Sequence, residues 1–271
     1  MRKQHLPIGF LAMLMLGAGL IAEEFSEYAI TKENAKVINQ LIQAAQRKDR
    51  RTMAGLIHYP LLRHYPIPPV RNASEMVQRF DHVFDQRLIA KIAESNVSRN
   101  WSAVGWRGIM LNQGDIWADY DGYVYVINNQ SDYESSLQVH LIEAEKQTLH
   151  PSLRHYSAPV LIARDNRRTI RIDETKTGYR YAVWPAGKNQ SQKPELIIEG
   201  GSLEVEGTMR YETYEFKSGS YSYVFEANAA QLTVFKDENE ILHSNVRFVQ
   251  PFQFVPGDFR ERFGNYRPRD L

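Results

Sequence analysis

His58, Tyr59 and Asp81 are the side chains best suited to acid–base work in this sequence. A carboxylate near an imidazole raises its pKa and fixes its tautomer, and a hydrogen-bonded tyrosine can polarise a carbonyl. Asp81 and His82 are neighbours, however, and adjacent helical side chains point about 100° apart, so only one of them can face a given cavity. Structural or solvated roles are therefore favoured over catalysis, and the reading leans to a non-enzymatic protein.

Other chemistry-bearing groups are weaker signals. Trp101, Trp106 and Trp117 concentrate indole suited to stacking on sugars or aromatic ligands, although sheet aromatics more often pack a core. His140, His150 and His155 match no helical metal pair and lack a carboxylate pattern, so no metal centre is expected. Arg164, Arg167, Arg168 and Arg171 surround the turn Asp165-Asn166 and read as a solvated strand face. With 33 basic against 32 acidic residues and a net charge of +1, no general field attracts nucleic acid. Tyr179, Tyr181, Tyr211, Tyr214, Tyr221 and Tyr223 recur at strand period; exposed on one face they would form a recognition surface, and buried they would be packing.

The elements that must hold these groups follow from the pattern along the chain. Arg2, Lys3 and His5 precede an apolar run to Ala22, the order of a cleavable secretory signal, closed by Glu23 and Glu24 without stop-transfer cations. Residues 1–22 are thus expected to be removed on export, leaving no stable membrane anchor. Cys is absent, which excludes thiol catalysis and disulfide support and fits a periplasmic location, secretion being the alternative. ATP and nicotinamide are not expected there, and no cofactor is assigned.

Thr31 can cap a helix whose apolar residues Val37, Ile38, Leu41, Ile42 and Ala45 share one face, and Asp49 opens a shorter one. Asn72 to Glu75 has capping-box form and predicts a second long helix, with a break near Asp85. From Val104 to Met110 the period becomes alternating, and the turn 112–115 predicts a hairpin into 116–118, followed by a strand over 123–127. The polar segment 128–136 reads as a linker. Beyond 137 short strands alternate with turns, at 169–172, 179–184, 196–198, 203–206, 211–216, 221–225, 232–235 and 240–242, with an ambiguous helical stretch at 143–153.

His58-Tyr59-Pro60-Leu61 after two helices, Arg71-Asn72 opening the next, Phe80-Asp81 with Phe84 on it, and Gly108 to Met110 with Gly114 to Trp117 in the hairpin resemble the nuclear transport factor 2-like superfamily. The resemblance covers about residues 26–129. It implies a cone of helices wrapped on a curved antiparallel sheet, enclosing a pocket that some members use for chemistry and many only for binding. It would place Arg71, Arg107 and Asp115 near the pocket mouth, where an arginine could clamp a carboxylate; Trp101 and Trp117 are the indole candidates for ligand contact.

The fold class expected is therefore α+β: a signal (1–22), an NTF2-like cone (23–130), an antiparallel all-β sandwich or barrel (131–250) and a tail (251–271). The function expected is non-catalytic binding of a cell-envelope protein, a glycan or a small ligand, with a second copy of the chain as another candidate partner. The alternatives are a metal-free isomerase, dehydratase or hydrolase in the first cavity, and an inhibitor or immunity factor against an envelope-targeting enzyme.

Overall fold

The computed structural model describes residues 28–207 and 211–249. The expected signal and tail lie outside them. The described residues divide into two compact units, one built from residues 28–61 and 71–129, the other from 62–70 and 130–249. The class is α+β, with a small helical part and a large antiparallel sheet.

In the first unit, α1 (Lys32–Gln46) is capped by Thr31 Oγ1, which accepts from Asn34 N at 3.3 Å, and buries Ile38, Leu41, Ile42, Ala44 and Ala45. Asp49 caps α2 (Arg50–Gly55) through Thr52 N at 3.1 Å. The long second helix expected from Asn72 is instead broken into α3 (Ala73–Gln78), α4 (Phe80–Val83) and α5 (Gln86–Ala93). Asn72 caps as expected, accepting from Glu75 N at 2.9 Å, and Glu75 reaches one residue further back, to Arg71 N at 3.1 Å. Asp85 starts α5 afresh by accepting from Leu88 N at 2.7 Å, so the break is a recapping event. A single turn, α6 (Val97–Asn100), leads into the sheet.

That sheet has the order β1 (Trp101–Ala103), β2 (Ile109–Leu111), β3 (Ile116–Ala118) and β4 (Val124–Ile127), all antiparallel. The alternation read over 104–110 is not one strand. A 3-10 turn at Gly105–Arg107 interrupts it, closed by Gly108 at φ 93°, where a Cβ would lie 2.4 Å from Ala118 O. Only glycine fits there. Tyr120 Oη and Tyr125 Oη donate to the turn's carbonyls at Gly105 and Arg107, at 2.8 and 2.6 Å.

The second unit begins with a correction. The segment taken as a linker is the cap and first turns of α7 (Asp132–Thr148), with Ser131 Oγ accepting from Glu134 N at 3.1 Å. The helix carries little apolar periodicity because several of the groups it turns inward, beside Ile142, are polar. Glu134 accepts from Arg63 Nε at 2.8 Å, Gln138 Nε2 donates to Tyr65 O at 2.7 Å, and Glu145 accepts from Tyr65 Oη at 2.9 Å. These bonds also explain why residues 62–70 belong with the second unit.

Nine strands follow: β5 (Ala158–Arg164), β6 (Arg168–Thr175), β7 (Gly178–Pro185), β8 (Leu196–Glu206), β9 (Tyr211–Ser218), β10 (Tyr221–Glu226), β11 (Gln231–Lys236), β12 (Asn239–Asn245) and β13 (Arg247–Phe248). From β5 to β12 each strand pairs antiparallel with the next in sequence, and β13 pairs antiparallel with β5, so the sheet order ends β6-β5-β13. Because β12 and β13 are separated only by Val246, one chain run pairs with β11 on one side and β5 on the other, nearly closing a barrel. Closure removes most of the free edge. The two runs expected at 196–198 and 203–206 are one strand bent at Gly200-Gly201, where Gly201 leaves room for the Phe216 ring.

The barrel is filled. Ile170, Ile172, Tyr181, Phe216, Phe225 and Leu232 form its interior with Tyr214. Outside, Trp184, Ala182 and Tyr156 pack with Ile142, Leu149 and Leu153 beneath α7. Beside them Arg171 and Arg180 straddle Asp173, each at 2.7 Å, and Arg171 Nη1 reaches Glu145 at 2.6 Å, a buried charge-balanced set roofed by the Tyr156 ring. Burial alone would lower the Arg171 pKa, but Asp173 and Glu145 raise it, so the guanidinium stays charged. Among the described residues no helix is long and apolar enough to cross a membrane.

Candidate functional site

The structure does not join His58, Tyr59 and Asp81. His58 Nε2 contacts Asp121 Oδ2 at 2.7 Å, Tyr59 Oη donates to Ala54 O at 2.8 Å, and Asp81 pairs with Arg50 at 2.8 Å on an exposed surface. Burial pushes the Tyr59 phenol well above its ordinary pKa. Each member is held by a different partner, because the chain from Tyr59 turns inward while α4 presents Asp81 to solvent.

The expected ligand contacts of the first unit are likewise in structural use. Arg71 is exposed and pairs with Glu75 at 2.9 Å. Among the described residues Arg107 pairs with no acidic neighbour; it lies over the Trp117 ring at 5.7 Å, and that indole is 7% exposed. Asp115 accepts from Lys91 at 2.7 Å and Asn112 at 3.0 Å; burial raises its pKa, but these donors win and hold it below the ordinary carboxylate value. Trp101 is buried, donating to Ser95 Oγ at 3.1 Å, and borders a groove of ≈ 480 Å³ beside Thr31, Asn39, Asn96 and Ser98. Trp106 is the exposed indole.

The tyrosines of the barrel, read as either a recognition surface or packing, form no continuous surface. Tyr181 and Tyr214 are 1% and 3% exposed, and Tyr179 and Tyr223 pack against the same core. The Tyr179 and Tyr214 rings meet edge to face at 5.0 Å, and Tyr181 lies 5.4 Å from both Phe216 and Tyr223. Tyr211 and Tyr221 are exposed but stand apart, paired in register with Glu206 and Ser218 respectively. Strand period puts Tyr179 with Tyr181 on one face but Tyr211 and Tyr214, three residues apart, on opposite faces; sheet closure decides that the face of Tyr181 and Tyr214 is the inside.

The concave charged surface of this unit lies elsewhere, at the seam where β12 and β13 cross the β5–β6 turn. A groove of ≈ 550 Å³ is lined there by Arg164, Arg167, Arg168, His243 and Arg247 around Asp165. Asp165 organises it. Its carboxylate accepts from Arg167 N and Arg168 N at 2.8 and 2.7 Å and from Ser244 Oγ at 2.9 Å, and pairs with Arg168 Nε at 3.0 Å. Partial burial raises the Asp165 pKa, but these donors together bring it below the ordinary value. Asp165 is thereby committed, while Arg167 and Arg247 are exposed and have no ion pair or side-chain hydrogen bond among the described residues. Four guanidinium groups thus face one occupied carboxylate. Of the arginine run read as a solvated face, Arg164, Arg167 and Arg168 line this groove while Arg171 is buried against Asp173 and Glu145; the completion by Arg247 and His243 was not visible in the sequence, since those residues arrive only on closure.

One further convergence was missed. Asp119 and Asp121 sit on the loop between β3 and β4, and with His58 they offer ligand atoms all within 4.8 Å of one another. The parallel bridge Ile57↔Val124 and the bond from His58 N to Val124 O at 2.7 Å carry His58 to that loop.

No protein-family model, curated protein or solved structure matches the chain.

Proposed function

We propose that this chain is a non-catalytic binding protein of the bacterial cell envelope, exported through its N-terminal signal, and that its barrel captures an anionic partner in the seam groove. The observation that carries the reading is the local charge imbalance: Arg164, Arg167, Arg168 and Arg247 line one concavity whose single carboxylate is already hydrogen-bonded. Exposed guanidinium groups in a groove bind phosphate or carboxylate through paired, charge-assisted hydrogen bonds. A filled barrel interior supports this outer site over a lipocalin-like internal one. With it goes the proposal that the first unit is NTF2-like, supported by its antiparallel sheet and the helices preceding it.

The test is calorimetric titration of the mature protein with inorganic tripolyphosphate, beside a double variant Arg167→Glu and Arg247→Glu. Wild type should bind with an affinity that falls as salt rises. The double variant should lose about tenfold or more, about 1.4 kcal/mol. Equal binding by both proteins would remove the groove from the function. Partner capture from an envelope fraction should follow the same ranking.

A further inference from the structure

We infer that His58, Asp119 and Asp121 form a binding site for a divalent transition cation. The site lies in the first unit and is independent of the anion groove.

The donor set is chemically mixed. One imidazole nitrogen and two carboxylates suit Zn²⁺ and its neighbours, whereas Ca²⁺ and Mg²⁺ favour all-oxygen sets. The three groups come from two chain segments that β-bridging holds together. Residues 56–58 run beside β4, with Val124 N donating to Leu56 O at 2.9 Å and His58 N donating to Val124 O at 2.7 Å. The opposing loop is closed by Asp119 N to Tyr123 O at 2.9 Å and Gly122 N to Asp119 O at 2.8 Å.

Within that loop the carboxylates are oriented by main-chain donors. Asp119 Oδ1 accepts from Tyr120 N at 2.6 Å, and Asp121 Oδ1 accepts from Tyr123 N at 2.9 Å. Asp121 Oδ2 already meets His58 Nε2 at 2.7 Å. Bonds of about 2.0–2.2 Å put ligand atoms on one ion about 3–4 Å apart. A set lying within 4.8 Å therefore closes by roughly an ångström of movement, which the partly exposed side chains allow. Binding through Nε2 requires the proton on Nδ1, and three protein ligands leave at least one coordination position for water or another ligand.

The experiment titrates the mature protein with Zn²⁺ by calorimetry and chelator competition, with Ca²⁺ in parallel. His58→Gln, Asp119→Asn and Asp121→Asn are compared after circular dichroism confirms folding. The expected result is one high-affinity Zn²⁺ per chain, no comparable Ca²⁺ binding, and a loss of about tenfold or more in each variant. Paramagnetic Mn²⁺ should broaden the His58 imidazole resonances in the wild type before those of other histidines, a readout that needs no variant to fold. Unchanged Zn²⁺ binding in folded variants, a preference for Ca²⁺, or uniform histidine broadening by Mn²⁺ would each overturn the assignment.

Discussion

Arg63 Nε donates to Glu134 Oε1 at 2.8 Å, and the two side chains are 0% and 1% exposed. This pair fastens the segment 62–70 to the first turn of α7, within the barrel unit. Removing one charge of a buried pair strands the other without water, at a cost of about 3–5 kcal/mol. Glu134→Gln should destabilise by that order, whereas Arg63→Met combined with Glu134→Leu should recover much of the loss. Urea unfolding followed by circular dichroism checks both, and a Glu134→Gln protein as stable as wild type would show the pair to be dispensable.

Gly201 faces the Phe216 ring, and a Cβ placed there would lie 2.3 Å from Cδ1 and Cε1 and 2.9 Å from Glu215 O. Its backbone is not in the left-handed region, so the obstacle is steric alone. Gly201→Ala should cost about 1–3 kcal/mol by overpacking. Adding Phe216→Leu should return part of it. Gly55→Ala, where nothing lies within 4 Å, serves as the control and should be neutral or slightly stabilising. Thermal unfolding of the four proteins decides the point.

Acid should weaken the protein in part through Asp165. Its folded pKa lies below the ordinary value of 3.8 because hydrogen bonds and Arg168 outweigh the opposing effect of burial. The sign follows: the stabilisation is complete above the unfolded pKa and is lost as pH falls through the lower, folded one. Asp165→Asn should flatten the stability profile below about pH 4 relative to wild type. A profile of unchanged slope would show that the seam carboxylate contributes nothing to folding.

Alkali acts through phenols. Tyr59, Tyr125, Tyr156, Tyr181 and Tyr214 all have pKa values raised from 10.0, in each case chiefly by burial. Their contribution to stability is complete below the unfolded value and is lost as pH rises toward the folded ones. Of the 15 tyrosines in the chain, a group containing these five should stay protonated near pH 11 and ionise only on unfolding. Phenolate absorbance against pH, native and in urea, measures the size of that group.

How far the sequence reached depends on the range of the interaction. The caps at Thr31, Asp49 and Asn72 were legible because an N-cap needs only a short side chain and an amide two or three residues on, whereas at Asp85 only a break was legible. The strands of the second unit were legible too, since alternation and turn chemistry are local. The helix α7 was not, because its inward face mixes the polar groups Glu134, Gln138 and Glu145 with Ile142 and so presents no continuous apolar stripe.

By itself the sequence determined an α+β chain without disulfides, the capped helices and a run of antiparallel strands. Tertiary structure alone decided which face of those strands is inside, turning Tyr181 and Tyr214 into core. It also decided that Ser244 meets Asp165 across 79 residues, and that His58 reaches Asp121 across 63. The physical reason is common to all three. A strand's period specifies that alternate residues share a face but not which face is buried, and loop closure sets which distant residues meet; both are settled only when the sheet curls and its edges pair.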